Sequence, residues 1–368
     1  MRWPWQHQAS SDQLVVSWSG QTLAYVLART GADGTHEVLK LGVERQGGGT
    51  TEDLVRRLNA LGLKGMKARI MLRPEQYQLL QIEAPAVPPE ELQAAARYQI
   101  RDMIHAAMDE ITLDVMRVGD REPQSAGHLF VVVAANAVVR SVLALADAMR
   151  WRVSVIDIEE TAQRNLQSAL AAAEGQAQRA SAALILADGQ QAVLTISANR
   201  ELFYSRRFAL PEGFLTIPWG PDQDAPAASA VAGNGSFLPV DEYVPDYGVG
   251  GVTIGNGDSQ TTEVNAALAS VGGADVDDER TQRFLVEVQR SLDVWDRSWS
   301  SLPLGSMRVY AGERSAELAA WLAARTGQTV QAFDVNALFA GFARSSAADQ
   351  AVCLPLLGVL LRSESRQP

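Results

Sequence analysis

A duplicated α/β fold is expected for this chain, and three observations predict it. The same order of elements runs twice. Residues 14–19, 22–29 and 38–45 read as short strands, 50–62 as a helix and 67–72 as a strand; the order returns at 182–187, 191–198, 201–208, 278–299 and 306–311. The first strand pair, LVVSWSG then QTLAYVLAR, breaks at Ser19-Gly20, a plausible hairpin turn. At 368 residues and 47% hydrophobic content the chain can bury a substantial core, in two domains rather than one.

Strand, strand, strand, helix, strand, used twice, is the outline of an actin-like or ribonuclease-H-like fold, which normally holds a nucleotide between its halves. Residues 1–75 form the first half. Its helix carries good end signals: Thr50 and Asp53 at capping-box spacing, an apolar stripe of Leu54, Val55, Leu58 and Leu61, and Gly62 as the stop. Residues 76–158 read as an inserted small α+β subdomain with its own sheet. Its strands are 77–84, 111–118, 128–135 and 152–158, and its helices 88–105 and 137–150. Val87-Pro88-Pro89 opens the first of these helices, since Pro is tolerated in a first turn, and Glu90 and Glu91 suit the positive end of the dipole. A connecting helix at 159–180 returns to the first half, and 181–210 begins the second. The second half resumes at 278–340, and 341–368 closes the chain with a helix packed on the first half.

Residues 211–277 differ in kind. Between Arg207 and Arg280 there is no Lys or Arg, and 12 of the 43 acids fall there, so this stretch carries −12 and the rest of the chain +1 of the net −11. Residues 211–275 also hold 11 of 29 glycines and 6 of 15 prolines, which predicts a long, loosely structured insertion, dispensable for folding. Nucleic-acid binding needs a basic face to neutralise phosphates, and none is visible.

Other chemistry is thin. The single cysteine, Cys353, sits in the apolar run AVCLPLLGVLL and reads as a buried core thiol in a cytosolic protein. His7, His36, His105 and His128 lack metal-ligand spacing. Asp275, Asp277 and Asp278 lack the turn Gly and closing Glu of a calcium loop and suit a solvated helix start. The run GVGGVTIGNG lacks the Lys and the strand-to-helix context of a P-loop. No metal site is expected. No stretch approaches the roughly 20 apolar residues of a membrane span, so a cytoplasmic protein reaching the membrane through a partner is expected. Trp3 and Trp5 read as a frayed terminus.

The stretch LRPEQYQLLQIEAPAVPPEELQAAARYQIRDMI, followed by DEITLDVMRV, resembles the MshI and PilM family of type IV pilus biogenesis proteins. The matching residues are Leu72, Tyr77, Leu79, Leu80, Glu83, Pro85, Val87, Pro88, Glu91, Leu92, Arg97, Ile100, Asp102 and Asp114. ELFYSRRF matches at Ser205 and Arg206, EVQRSLDVW at Glu287, Arg290 and Ser291, and LPLLGVLLR at Leu357, Gly358, Leu361 and Arg362. The pattern is nearer the MSHA-type MshI branch than PilM proper. The resemblance implies a cytoplasmic actin-like scaffold at the inner membrane that binds the N-terminal tail of a PilN-like membrane protein, in a groove between the insert and the first half. Tyr98, Arg101 and Asp102 are candidates for the groove wall, where the 88–105 helix would meet the first half. Arg206 and Arg290 are expected to pair structurally.

In actin-like ATPases each half supplies a phosphate-binding hairpin of Asp-x-Gly-Ser/Thr type; Gly lets the backbone approach phosphate and Asp serves the metal and the attacking water. Here Ser17 stands at the first Asp position and Ser19 at the first Gly position, with Trp18 between. In the second hairpin Leu186 stands at the Asp position, and Asp188-Gly189 reads as an ordinary turn. The adenosine-binding Gly-Gly is reduced to Ala311-Gly312-Glu313, where Glu313 adds negative charge. A non-enzymatic scaffold with a degenerate nucleotide site and no cofactor is therefore expected. An actin-like ATPase of PilM type is the first alternative. A GspL-like type II secretion component is the second, disfavoured because that family carries a membrane span after this domain and none follows here.

Overall fold

The computed structural model describes residues 11–31, 34–118, 127–187, 189–219 and 261–362; of residues 11 and 261–276 it describes the backbone alone. The first half opens with β1 (Ser11–Trp18), β2 (Thr22–Thr30) and β3 (His36–Arg45), followed by α1 (Thr51–Ala60) and β4 (Lys67–Met71). The insert contributes β5 (Tyr77–Glu83), α2 (Leu92–Gln99), β6 (Ile111–Val118) and β7 (His128–Ala135). Then come α3 (Asn136–Ala148), β8 (Arg152–Asp157) and α4 (Glu159–Ala173). The second half is β9 (Ala180–Ile185), β10 (Gln191–Ala198), β11 (Glu201–Ala209), α5 (Thr261–Ser298), β12 (Leu304–Tyr310), α6 (Ser315–Thr326) and β13 (Val330–Ala332). Short β14 (Phe339–Ala340) and α7 (Ala347–Leu360) end the described chain.

The duplication is explicit in the sheets. The first runs β14-β3-β2-β1-β4-β8 and the second β11-β10-β9-β12-β13, so five strands of each follow the same order. In both, two antiparallel pairs lead into two parallel ones. This is the duplicated actin-like fold, with a small α+β insert whose sheet runs β5-β7-β6. The true repeat has seven elements, not five. The pair α3–β8 is the first half's counterpart of α6–β13, and β8 pairs in parallel with β4. Residues 136–158, placed in the insert from the sequence, therefore belong to the first half. Val142, Leu145, Ala146, Met149 and Trp151 pack there with Leu14, Val16, Leu54 and Leu58. The matching strand β13 spans only Val330–Ala332, too short to announce the second copy's ending. Similarly β14, placed in the second half, pairs with β3 of the first.

Local signals behave as their chemistry dictates. Thr50 Oγ1 accepts from the Asp53 amide (3.3 Å) and Asp53 Oδ2 from the Thr50 amide (3.0 Å), the expected reciprocal cap. Gly327 ends α6 at φ +66°, a left-handed conformation that suits Gly. The expected helix 88–105 shortens to a 3₁₀ turn at Pro89–Glu91 and α2.

The insertion expected at 211–277 needs correcting at both ends. Phe214, Ile217 and Trp219 are 1%, 4% and 3% exposed and join the second half's core with Phe284 and Trp321. Residues 261–277 are helical, so Asp277 and Asp278 lie inside α5 rather than at its start. The pair Gly272-Gly273 lies inside this helix, where each Gly costs only about 1 kcal/mol relative to Ala. Dispensability of 211–275 does not survive the burial of Phe214, Ile217 and Trp219; residues 220–260 lie outside the described part.

Two helices bind the halves together. One core cluster unites Val15, Ala24 and Val26 of the first sheet, Ala183 and Ile185 of the second, Ala162 and Leu166 of α4, and Leu354 and Leu357 of α7. Each large aliphatic side chain buried in this way contributes roughly 1.5–3 kcal/mol. Carboxamides on α4 reach into the second sheet: Gln163 Nε2 donates to the carbonyls of Ala183 (2.9 Å) and Val193 (3.3 Å), and Gln167 Nε2 to Ser181 (2.9 Å) and Thr195 (3.2 Å). Cys353 is fully buried in this layer, and burial pushes its thiol up to about 12, as suits a core thiol.

Candidate functional site

Two places bring chemistry together: the cleft between the halves and the seam between insert and first half. The cleft encloses about 530 Å³, lined among others by Ser17, Arg73, Glu159, Gln190, Gln191 and Arg207. Both sequence-picked hairpins reach it, in altered form. Trp18 turns into the first half's core. Ser19 Oγ accepts from the amides of Gln21 (3.4 Å) and Thr22 (3.1 Å), while the Ser19 amide donates to the Thr22 carbonyl (3.1 Å). The amides of Ser19, Gln21 and Thr22 are thus spent inside the turn. Ser17 is 2% exposed, and its Oγ has no hydrogen-bond partner.

Opposite, Leu186 is buried in the second half's core, and its amide donates to the Tyr310 carbonyl at 2.9 Å. Gly189 takes φ +69°; Asp188 lies outside the described residues. At the adenosine position Gly312 takes φ +61°, and Ser315 Oγ accepts from the Ala311 amide (2.9 Å) while donating to the Gly312 carbonyl (2.6 Å). The segment 211–219 closes over the start of α6. Arg314 donates to the carbonyls of Leu215 (2.5 Å) and Ile217 (2.7 Å), and its guanidinium stacks 3.9 Å from the Trp219 ring centroid. Glu317 accepts from Arg314 and from the Trp219 amide (3.1 Å), which together hold its carboxyl below the ordinary value.

A buried polar cluster that the sequence reading missed borders the cleft. Tyr77 Oη donates to Glu160 (2.5 Å), and Arg207 donates to Glu159 (3.1 Å) and Glu160 (2.9 Å). Burial, reinforced by Glu160 and Glu159, drives the Tyr77 phenol well above its ordinary value. For Arg207 burial pulls downward, but the two carboxylates outweigh it and hold the guanidinium above its ordinary value. The cluster pins the insert's first strand, α4 and the second half's β11 to one another. The neighbouring Arg206 reaches instead to Glu287 and Ser291 of α5, where Arg290 also pairs with Glu287 (3.4 Å). These arginines are structural pairs within the second half.

Tyr98, Arg101 and Asp102 do come together, with Glu83, Pro85 and Ala95, around an open groove of about 890 Å³. Tyr98 is 80% exposed. The groove lies within the insert, because Leu92, Ala96 and Ile100 bury the other face of α2 against the insert's own strands. The expected junction of this helix with the first half is therefore not where these residues stand.

The seam with the first half is built from other elements. A cavity of about 190 Å³ is lined by Met116 and Val132 of the insert and by Ile156, Asp157, Thr161 and Arg164 of the first half, among others. Two sheet edges border it, since β6 is the last strand of the insert's sheet and β8 the last of the first sheet. Asp157 is 3% exposed at the mouth of α4. Its Oδ1 accepts from the Ile158 amide (3.0 Å), from Arg362 Nη1 (2.9 Å) and from Thr161 Oγ1, whereas its buried Oδ2 has no partner. No sequence signal marks this carboxylate beyond its place at a strand-to-helix junction. Among the described residues there is no cluster able to hold a metal, and no helix is long and apolar enough to cross a membrane.

No protein-family profile matches the chain, and no curated protein matches it. Solved structures do. A chain of a PilM–PilN type IV pilus biogenesis complex superposes with a TM-score of 0.60 at 15% identity, covering 97% of this chain and 99% of that one. The cytoplasmic domain of EpsL, an inner-membrane component of the type II secretion system of Vibrio cholerae, gives 0.38 at 14% identity over 58% of this chain and 79% of that one. A Bacteroides thetaiotaomicron protein with an actin-like ATPase fold gives 0.34 at 8% identity over 56% and 72%. The last two superpose too loosely to support anything further. The first matches end to end, and at its low identity what it establishes is the fold.

Proposed function

We propose that this chain is a non-catalytic docking scaffold of a type IV pilus assembly platform, of MSHA type, acting in the cytoplasm at the inner membrane. It holds the N-terminal tail of a PilN-like membrane protein in the seam between insert and first half. The observation that carries this reading is the seam itself: two strand edges, the apolar side chains of Val115, Met116, Val132, Ile156 and Ile158, and as many polar ones between them, a lining that can receive an extended peptide. The end-to-end likeness to a chain of a PilM–PilN complex supports it. The residues at the nucleotide positions do not fit a magnesium nucleotide. Ser17 and Leu186 cannot serve a metal as Asp does, Ser19 consumes the hairpin amides, and Arg314 with Trp219 closes the start of α6. Tyr98, Arg101 and Asp102 offer a further surface on the insert for the same partner.

A second reading, an ATP-binding protein of PilM type, draws on one observation: the cleft persists, with Ser17 Oγ and Arg73 Nε buried and without partners. Calorimetry separates the two. The expected result is saturable binding of a peptide copying the PilN-like tail from the same genome, and no binding heat with Mg-ATP. A micromolar dissociation constant for Mg-ATP would overturn the degenerate site, and failure of the tail to bind would overturn the docking role.

A further inference from the structure

Asp157 is a buried charge of which only one oxygen is used. Three donors converge on Oδ1, while Oδ2, out of contact with solvent, receives none. A buried carboxylate oxygen without a donor forfeits a charge-assisted hydrogen bond, and such a vacancy persists where something else supplies the donor. Asp157 is the last residue of β8, the edge strand bordering the seam. The competing edge is partly closed, because Asp114 Oδ1 already accepts from the Val115 amide of β6 at 2.9 Å.

The charge in the lining narrows the donor. Asp114 and Asp157 face Arg164 and Arg362 in the lining, and Arg69 also acts electrostatically on Asp157, so positive charge there already at least matches the negative. An incoming cation would leave the seam with an excess charge at low dielectric. An uncharged N–H would complete the carboxylate without adding charge.

We propose that Asp157 is the specificity anchor of the seam: an extended peptide lies along the edge of β8 and presents an uncharged N–H, a backbone amide or a side-chain carboxamide, to Asp157 Oδ2. This rests on the docking role proposed above and adds which atom reads the tail and what it reads.

The test titrates the same PilN-like tail peptide into the full chain, into Asp157→Asn and into Asp157→Ser; the Ser hydroxyl retains a cap for the Ile158 amide. A parallel peptide series is N-methylated at one backbone amide, or altered at one carboxamide, at a time. The expected result is a loss of about tenfold or more in affinity for the folded variants, the scale of a hydrogen bond to a charged group. One peptide alteration should cost the same on the unaltered chain and nothing further on the variants. Unchanged affinity in the folded variants would overturn the anchor while leaving the docking role intact. If the unaltered chain does not bind the tail, the docking role falls and the anchor with it. Should neither variant fold, the peptide series on the unaltered chain decides: one sensitive N–H supports the anchor, and none overturns it.

Discussion

Replacing Arg207 with Met is expected to destabilise the protein by roughly 3–5 kcal/mol, the cost of removing one partner from a buried ionic group. Glu159 and Glu160 are 9% and 3% exposed, and Tyr77 packs over them. Without the guanidinium, two like charges remain in one buried site, and Glu160 keeps only the Tyr77 hydroxyl. Met retains much of the packing of the arginine stem, so the loss reports charge rather than volume. Denaturant unfolding at neutral pH measures the loss. Adding Glu160→Gln to Arg207→Met should recover part of it, because one of the two like charges is then gone. Since the cluster ties the insert to both halves, Arg207→Met should also weaken tail binding. A variant as stable as the parent would show that the cluster does not hold these parts together.

Gly358→Ala is expected to cost about 3 kcal/mol or more, at the upper end of overpacking effects. A Cβ there would stand 2.0 Å from the Ala162 carbonyl oxygen and 2.5 Å from its carbon. Both obstacles are backbone, so no rotamer change relieves the clash, and α7 must move away from α4. That separation would pull apart the layer joining the halves. It would also stretch the Asn165 Nδ2 bond to the Gly358 carbonyl (3.0 Å) and the cap that Arg69 places on the carbonyls of Val359 (2.5 Å) and Leu360 (3.1 Å). Thermal unfolding of Gly358→Ala checks this. Ala162→Gly should not rescue it, because the clash is with the carbonyl and not with the Ala162 methyl.

What the sequence revealed and what it hid follow from the range of the interactions. Thr50 with Asp53, the Ser19-Gly20 turn and Gly327 act within a few residues, and each appears where its chemistry places it. The hydrophobic periods of β1 to β4 and β9 to β11 made the duplication visible. The place of the closing α–β pair in the repeat escaped because β13 has three residues and because the insert separates β4 from α3. The candidate sites depend on distant pairs: Tyr77 with Glu160 and Arg207, and Asp114 of the insert across from Asp157 and Arg362. Nothing local in EETAQRNL or SRRF announces that Glu160 and Arg207 will meet. Tyr98, Arg101 and Asp102 stand in or beside a dense stretch of motif. That stretch marks the insert's own helix and strand, whereas the seam is lined by strands that follow it in the chain.

The decisive measurement is where the tail touches the protein. A PilN-like tail peptide carrying a photo-reactive residue, bound to the full chain and irradiated, can be mapped by peptide mass analysis. Cross-links at 114–116 and 155–164, lost on competition with unlabelled tail, are the predicted result. Cross-links confined to 83–102, or specific labelling of the cleft at Ser17 and Gln190, would contradict docking in the seam.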